Sequence, residues 1–408
     1  MTDRHRHSLR ALLWTGFVLF VIPAALRTYL MMPLPGSQEL DVFALPYYLD
    51  HTTLPLRIFG AGLLVLPVVN AFRRGSRLQR IGVIVMLFVC GAVWYVTEMM
   101  MSAQEMFREP QRVEFANVSA NQLSPNTIVL GISINGITKA YPVRFLAYHH
   151  KVHDSLGSQQ VLVTYCSVCR SGRVYEPYVD GRVQHFRLTG MRHYNAVIED
   201  NETKSWWYQA TGEAVIGPRT GMHLPEIPSA EMTLRAWTAL HPETLIMQPD
   251  PASAEGYASF GFDKWDSARP PRAYFDSVAL AWKQRSWVVG VTAGAHAKAF
   301  AWSGLMRDHV VNDSIGDVPI AILIEPDSIS FHVWSRDVHG TVLTFMPSND
   351  CMIRDATTGS TWDCSGTCTA GPLAGQQLTP LHAHREYWHS WKTFHPATAQ
   401  WTSAHENK

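Results

Sequence analysis

Three long apolar runs in the first hundred residues constrain this chain more than any other feature. They cover residues 11–32, 54–72 and 81–101. A helix needs about 20 apolar residues to cross the hydrocarbon layer, and each run has about that length. Three such runs argue against buried core helices, and the first run lacks the small-x-small cleavage site of a signal peptide. We therefore predict a membrane domain over residues 1–102 with three transmembrane helices.

Arginines in the short loops predict the orientation of these helices. Three arginines precede the first run and four lie in the loop 73–80, whereas the loop 33–53 has three acidic residues and no Lys or Arg. Loops rich in Lys and Arg stay in the cytoplasm. The N-terminus is therefore predicted to be cytoplasmic. Three crossings then put the chain after residue 102 on the outer side of the membrane, periplasmic or extracellular.

The remaining sequence excludes several classes of partner and cofactor. Lys and Arg number 34, as do Asp and Glu, and a chain without net charge lacks the basic field that binds nucleic acid. It contains no phosphate-binding loop and no dinucleotide fingerprint. Arg170 follows Cys169 where a haem c attachment motif has histidine. The expected partner is the lipid bilayer, and the sequence indicates neither a protein partner nor a reaction.

The soluble part contains two segments of similar sequence. Residues 128–157 align with 287–316, and residues 205–227 align with 361–381. Repeated blocks that keep their order and spacing indicate a duplicated structural unit. We therefore predict an α+β, β-rich fold in two tandem divergent copies. The predicted segments after the membrane domain are a linker over 103–125, a first repeat over 126–248, a connecting strap over 249–285, a second repeat over 286–398 and a tail over 399–408.

Local patterns predict the elements of the first repeat. Alternating apolar residues on both sides of Asn135-Gly136 predict a hairpin, because an Asn-Gly pair favours a tight turn. A second hairpin is expected at Asp180-Gly181. The other predicted elements are a helix around 143–153, a turn at Gly157, a strand over 160–166 and a helix over 229–240 capped by Ser229.

The sharpest chemical motif is the pair Cys166 and Cys169. A Cys-x-x-Cys loop lets both sulfurs face one point, which suits a soft metal such as copper or zinc, or a reducible disulfide. Ser171-Gly172 and a β-like run follow the pair. We therefore predict a strand-to-strand turn, as in a metal knuckle, rather than the helix start of a thioredoxin-like site.

Two cysteines alone leave a metal site incomplete, since a closed zinc site has four ligands. The nearest candidate ligands in the sequence are His149 and His150. His153 is a further candidate, because it would share one face of the predicted helix with His149. The chain has 19 histidines, so an ordinary surface position for these three is the alternative interpretation.

The second repeat has Glu325 and Ser328 in place of the cysteine pair. It has its own cysteines, which are Cys351, Cys364 and Cys368. The last two can form a disulfide with each other, either can pair with the first, or the three can belong to a second site. Cys364 aligns with Gln209 and His309 aligns with His150, so Gln209 and His309 are further candidate site residues.

Several short motifs of the first repeat agree with a known pattern. They are KAYP (139–142), Tyr148-His149, TYCSVC (164–169), Trp207-Tyr-Gln209 and TGEAVIGP (211–218). In this order they resemble the bacterial family named domain of unknown function 3179 over about residues 126–248, and the second repeat resembles it weakly. The chain departs from the family in having His150 for Glu and Ser-Val between the cysteines. The resemblance implies a bacterial inner (cell) membrane location but no activity.

Three functional hypotheses fit these residues. The first is a membrane-anchored extracytoplasmic protein that binds copper or zinc through Cys166, Cys169 and His149 or His150, in metal handling or a redox step. The second is a thiol–disulfide protein in which the pair cycles without metal. The third is a structural or interaction module with inert cysteines. A metal-to-protein ratio distinguishes the first hypothesis from the other two.

Overall fold

The chain packs into two compact units in the computed structural model, which describes residues 3–260, 282–348 and 351–403. Unit 1 comprises Met1–Arg108, Phe186–Tyr208 and Glu213–Met222. Unit 2 comprises Glu109–His185, Gln209–Gly212 and His223–Lys408. The predicted strap over 249–285 falls partly on residues 261–281, and the predicted tail falls partly on 404–408. Those parts lie outside the described residues.

Unit 1 begins with three long helices, which confirms the prediction of three apolar helices at the N-terminus. They are Asp3–Met31, Ala44–Arg74 and Arg77–Tyr95, the last continued by a π-helical turn over Val96–Met100. All three are long and apolar enough to cross a membrane. The middle helix starts before its apolar run, because residues 44–53 add polar turns that hydropathy alone does not detect. Two short helices, Ser37–Glu39 and Ala103–Met106, follow the first and third.

The first two long helices touch at Gly16 and Gly60. A Cβ atom on Gly16 would lie 2.7 Å from the Gly60 carbonyl oxygen, and one on Gly60 would lie 2.8 Å from the Gly16 oxygen. Small residues let the backbones of membrane helices approach each other in this way. The pair therefore fixes a close crossing between these two helices.

A four-stranded antiparallel sheet, the insert sheet, completes unit 1. Its strands in spatial order are Ala214–Ile216, Trp206–Tyr208, Asn195–Asp200 and Phe186–Arg192. Gly190 of this sheet lies against the end of the first helix, where a Cβ atom would lie 2.7 Å from the Met31 carbonyl oxygen. The insert sheet therefore packs directly on the N-terminal helices.

Unit 2 contains a first series of small sheets between residues 115 and 247. A five-stranded sheet has the order Phe115–Asn117, Leu245–Met247, Ile137–Pro142, Ile128–Ile134 and Ser229–Thr233. A three-stranded sheet has Lys151–Leu156, Gln159–Cys166 and Ser171–Tyr175, and a two-stranded sheet has Tyr178–Val179 and Arg182–Val183. The helices of this series are Val143–His149 and Leu234–Leu240, followed by Pro251–Ser253 and Ala254–Phe260.

A second series of elements in unit 2 runs from residue 287 to residue 400. Its first sheet has the order Ala383–Tyr387, Trp287–Ala293, His296–Ala301 and Ala399–Gln400. Its other sheets are Val310–Ile315, Val318–Ile324 and Phe331–Ser335, then Asp337–Val338 and Thr341–Val342, then Phe345–Pro347, Ile353–Asp355, Thr361–Trp362 and Cys368–Ala370. Its helices are Trp302–Asp308 and Trp388–Phe394. A β-rich fold of many small sheets is thus confirmed.

The tight turns predicted from the sequence are confirmed, and two helix predictions are wrong in part. Asn135-Gly136 and Asp180-Gly181 both adopt positive φ between paired strands. The helix predicted over 143–153 ends at residue 149, because His150 adopts the left-handed conformation with φ 62. The helix predicted over 229–240 starts at residue 234, because its first five residues form a strand edge instead. Thr233, not Ser229, caps it.

Each series of unit 2 has a tryptophan packed on a strand glycine. A Cβ atom on Gly131 would lie 2.4 Å from the Trp237 ring, and one on Gly290 would lie 2.2 Å from the Trp391 ring. The Trp237 indole donates to Thr244 Oγ1 at 2.8 Å. The Trp391 indole donates to the equivalent oxygen of a threonine seven residues later, also at 2.8 Å. Glycine is therefore required where each helix covers its sheet.

Candidate functional site

The cysteine pair lies on a turn between two strands, as the sequence predicts. Cys166 ends the strand Gln159–Cys166 and pairs in register with Ser171, which starts the next strand. Arg170 closes the turn with φ 58, a left-handed conformation that favours glycine. The absence of a helix after the pair separates this turn from a thioredoxin-like site.

Both cysteines are buried and remain thiols. Cys166 is 1% exposed and Cys169 is 0% exposed. The Cys169 backbone N–H donates to Cys166 Sγ at 3.4 Å, so the two residues form a closed turn. Burial raises the pKa of Cys169 well above its usual value, the adjacent Cys166 adds to the rise, and the Ser390 hydroxyl opposes it. A buried thiol of raised pKa is a weak nucleophile at neutral pH.

Residues from the end of the chain cover this turn within unit 2. The Tyr387 backbone N–H donates to the Cys169 carbonyl oxygen at 3.0 Å. Glu386 accepts from Arg173 Nη2 at 2.6 Å, and both side chains are almost fully buried, at 1% and 2% exposure. Arg173 lies on the strand that leaves the cysteine turn. The candidate site is therefore built from both series of unit 2.

Of the two predicted histidine ligands, His150 lies beside the cysteine turn. Its Nε2 atom is 3.3 Å from the hydroxyl oxygen of Ser167, the residue after Cys166. Burial lowers the pKa of His150 to about 4, so the imidazole is neutral at neutral pH. Neutral imidazole is the form that binds metal ions.

His149 has a different environment. It is fully buried, and its Nε2 atom is 2.6 Å from the Tyr257 hydroxyl oxygen. The Tyr257 oxygen also accepts from the Asp250 backbone N–H at 3.2 Å. These bonds give His149 a packing role in the core between the helices Val143–His149 and Ala254–Phe260.

The other candidate residues are placed as follows. His153 lies on the strand Lys151–Leu156 and its ring packs 5.1 Å from that of His185, so the predicted i,i+4 pairing with His149 on a helix is wrong. Gln209 is buried and donates from Nε2 to the Ser171 carbonyl oxygen at 3.1 Å. His309 follows the helix Trp302–Asp308 and adopts φ 56, a positive φ like that of His150.

Two groups in the described parts of the chain bring three metal-ligating atoms within 4.8 Å of one another. They are Glu325 with Cys351 and Cys364, and Asp50 with His51 and Glu199. Cys166, Cys169, His149 and His150 do not form such a group among the described residues, so their metal role stays a prediction.

Cys351 and Cys364 form a disulfide, one of the pairings that the sequence left open. Their Cα atoms are 5.6 Å apart. Cys368 remains a buried thiol, and its Sγ donates to the Ala370 carbonyl oxygen at 3.4 Å. While the disulfide is intact, its two sulfurs are bonded to each other. The group of Glu325, Cys351 and Cys364 is therefore expected to be free of metal.

An ionic network in unit 1 was not predicted from the sequence. Arg187 of the insert sheet donates to both carboxylate oxygens of Glu199 at 2.8 Å and to Asp50 at 2.6 Å. His51 lies 3.0 Å from Glu199. In the helices, Glu98 accepts from Arg27 at 2.8 Å and Arg57 at 2.6 Å. The sequence shows charged residues at the ends of the apolar runs. It does not show which of them pair, because the partners are distant in sequence.

Arg187→Met is expected to weaken the packing of the insert sheet. The buried Glu199 carboxylate would lose its bidentate partner, a loss of about 1–3 kcal/mol. Hydrogen exchange followed by mass spectrometry should show faster exchange in Phe186–Arg192 and Asn195–Asp200. Arg108→Met, which removes an exposed ion pair with Glu105, is the control and should leave exchange unchanged. Equal exchange in the two variants would contradict the role given to Arg187.

The fold and the site define a class of protein with N-terminal apolar helices and a β-rich region that carries a buried cysteine turn. The chain belongs to the family described as "Protein of unknown function (DUF3179)", whose family model matches residues 108–398. The resemblance found in the sequence motifs is thereby confirmed. No curated protein and no solved structure matches the chain.

Proposed function

We propose that this protein is anchored in the membrane by its three helices and binds a thiophilic metal ion through Cys166 and Cys169, in metal handling or a redox step. The observation that carries the proposal is the buried pair of thiols on one strand-to-strand turn, with the Cys169 N–H donating to Cys166 Sγ. A backbone donor at sulfur favours the thiolate, which is the form that binds metal.

The donor set suits copper better than structural zinc. Thiolates bind both copper(I) and zinc, but a closed zinc site requires four ligands and this turn supplies two thiolates. His150 is the best third donor, because its neutral imidazole already contacts Ser167, one of the two residues between the cysteines. Binding would require the imidazole to turn from Ser167 toward the sulfurs.

The predicted orientation supports this chemistry. The arginine-rich ends of the helices favour a cytoplasmic N-terminus and an extracytoplasmic soluble region. The disulfide between Cys351 and Cys364 provides independent support, since disulfides persist in oxidising compartments outside the cytoplasm. A metal bound to Cys166 and Cys169 would protect these thiols from oxidation there.

We also infer that residues 126–248 and 286–398 are divergent copies of one unit. This inference is supported by matching contacts in addition to the matching sequence blocks. Lys139 pairs with Asp154 at 2.7 Å, and Lys298 pairs with Asp313 at 2.6 Å. Each copy has the glycine–tryptophan contact described above, with the same indole–threonine bond. The first copy alone keeps the Cys-x-x-Cys pair.

A thiol–disulfide role is the second candidate. The observation in its favour is that the two cysteines are adjacent on one turn, whereas no third ligand atom among the described residues completes a group with them within 4.8 Å. Burial of both sulfurs opposes it, because exchange requires that a partner disulfide reach the attacking thiolate.

The test is metal analysis of the full-length protein purified in detergent, next to a Cys166→Ser, Cys169→Ser double variant. We expect stoichiometric metal that the double variant lacks. Cys368→Ser, which removes another buried thiol, is the matched control and should retain the metal. A metal-free wild-type protein that has two more titratable thiols than the double variant would favour the second candidate. A metal-free protein whose pair does not change oxidation state would exclude both candidates.

A further inference from the structure

The second copy has a group of ligand-type side chains around its disulfide. One ligand atom each of Glu325, Cys351 and Cys364 lies within 4.8 Å of the others. Glu325 is almost buried, at 9% exposure, whereas Cys351 and Cys364 are partly buried, so solvent and small solutes reach the two sulfurs. His332 Nε2 lies 2.6 Å from Glu325 Oε1, a contact that orients the carboxylate. The His332 ring in turn stacks on Trp334, with ring centroids 5.1 Å apart.

This group lies at the place in the second copy that the cysteine turn occupies in the first. Glu325 stands at the sequence position of Cys166, and Cys364 stands at that of Gln209. In the first copy, Gln209 reaches the cysteine turn, because its Nε2 donates to the Ser171 carbonyl oxygen at 3.1 Å. The second copy has therefore lost its Cys-x-x-Cys pair but has two sulfurs beside the equivalent strand end.

We propose that reduction of the Cys351–Cys364 disulfide creates a second, redox-gated binding site for a divalent cation of the zinc class. A dithiol reductant supplies two electrons and two protons to the sulfur–sulfur bond and is itself oxidised to a disulfide. The cation then displaces the two thiol protons. The ligands are the two thiolates and Glu325, with water in the remaining position, and His332 orients the carboxylate.

The other group of ligand-type side chains in the described residues is not suited to bind a cation. Asp50 and Glu199 approach each other with His51, but the Arg187 guanidinium lies 2.6 Å from the first carboxylate and 2.8 Å from the second. This fixed positive charge already neutralises the carboxylates and repels a cation. The described partner of the Glu325 carboxylate is instead the His332 imidazole, which can be neutral.

The test uses full-length protein with Cys166→Ser and Cys169→Ser, so its outcome does not depend on the proposed function of that pair. The protein is reduced with dithiothreitol, freed of the reductant without air, and titrated with Co2+ as the probe. We expect about one Co2+ per chain with a thiolate charge-transfer band, since such a site binds a single ion. The oxidised protein should give no band.

Variants of the site and a matched control complete the design. Cys364→Ser should abolish the band, and His332→Phe should weaken Co2+ binding by about 10- to 100-fold, the usual effect of removing an outer hydrogen-bond partner. Cys368→Ser should bind Co2+ as tightly as the parent protein, which carries only Cys166→Ser and Cys169→Ser. As a second measurement on the parent, Co2+ should slow alkylation of Cys351 and Cys364 but not of Cys368.

The proposal is overturned if reduced and oxidised protein bind Co2+ equally, or if Cys364→Ser keeps the band. It is also overturned if alkylation of the two thiols proceeds at the same rate with and without the ion. The alkylation measurement remains decisive even if a variant does not fold.

Discussion

Arg173→Met is expected to destabilise unit 2 by about 3–5 kcal/mol, the usual cost of leaving one partner of a buried ion pair alone. Arg173 and Glu386 are almost completely buried and their charged atoms are 2.6 Å apart. Methionine fills much of the arginine volume but leaves the carboxylate without its counter-charge. Glu386 precedes Tyr387, whose backbone N–H donates to the Cys169 carbonyl oxygen. The same variant should therefore also disturb the cysteine turn.

The measurement is thermal unfolding of the full-length protein in detergent, followed by tryptophan fluorescence. Each kcal/mol lowers the melting temperature by about 2–4 °C for a unit of roughly 150–250 residues, so a large decrease is expected. Arg112→Met is the control, because its pair with Glu114 is 4.0 Å long and exposed, and less than about 1 kcal/mol should be lost. The double variant Arg173→Met, Glu386→Leu should recover most of the stability. A decrease no larger than that of the control would contradict the role of the buried pair.

Trp391→Ala is expected to cost about 3–5 kcal/mol, as other fully buried tryptophans do. The ring packs on Gly290 and its indole donates to Thr398 Oγ1, so the truncation leaves a cavity and removes the donor to this hydroxyl oxygen. Trp237→Ala should have a similar effect, since Trp237 makes the same contacts with Gly131 and Thr244. Similar losses are what the proposed duplication requires.

Trp391→Phe separates packing from hydrogen bonding. It keeps most of the aromatic ring and loses the indole donor, so a loss of about 1 kcal/mol is expected. The same melting experiment measures all three variants. If Trp391→Ala is no less stable than Trp391→Phe, packing of the Trp391 ring does not stabilise the second series of unit 2.

Features set by local interactions were predicted from the sequence, and features set by distant contacts were not. The three apolar helices follow from hydrocarbon length, and the hairpins at Asn135-Gly136 and Asp180-Gly181 follow from backbone preferences. The helix end at His150 was missed, because residues other than glycine only rarely adopt a positive φ. Because of that error, His153 was predicted on a helix face, whereas it lies on the strand Lys151–Leu156.

The candidate site was predicted only in its local part. The turn of Cys166 and Cys169 follows from the residues on either side of it. The cover supplied by Glu386 and Tyr387 does not, because these residues are more than two hundred positions away in sequence. The disulfide partner of Cys351 was equally undetermined, since both Cys364 and Cys368 satisfied the spacing.

The soluble region must face away from the cytoplasm if its thiols are to need a bound metal and its disulfide is to persist. Two fusions to the C-terminus test this most directly. One carries a phosphatase that is active only outside the cytoplasm, and the other carries a fluorescent protein that folds only inside it. Matching insertions in the loop 73–80 serve as controls and should give the opposite pattern. We expect phosphatase activity and no fluorescence at the C-terminus; fluorescence there without phosphatase activity would contradict the proposed orientation and the chemistry that depends on it.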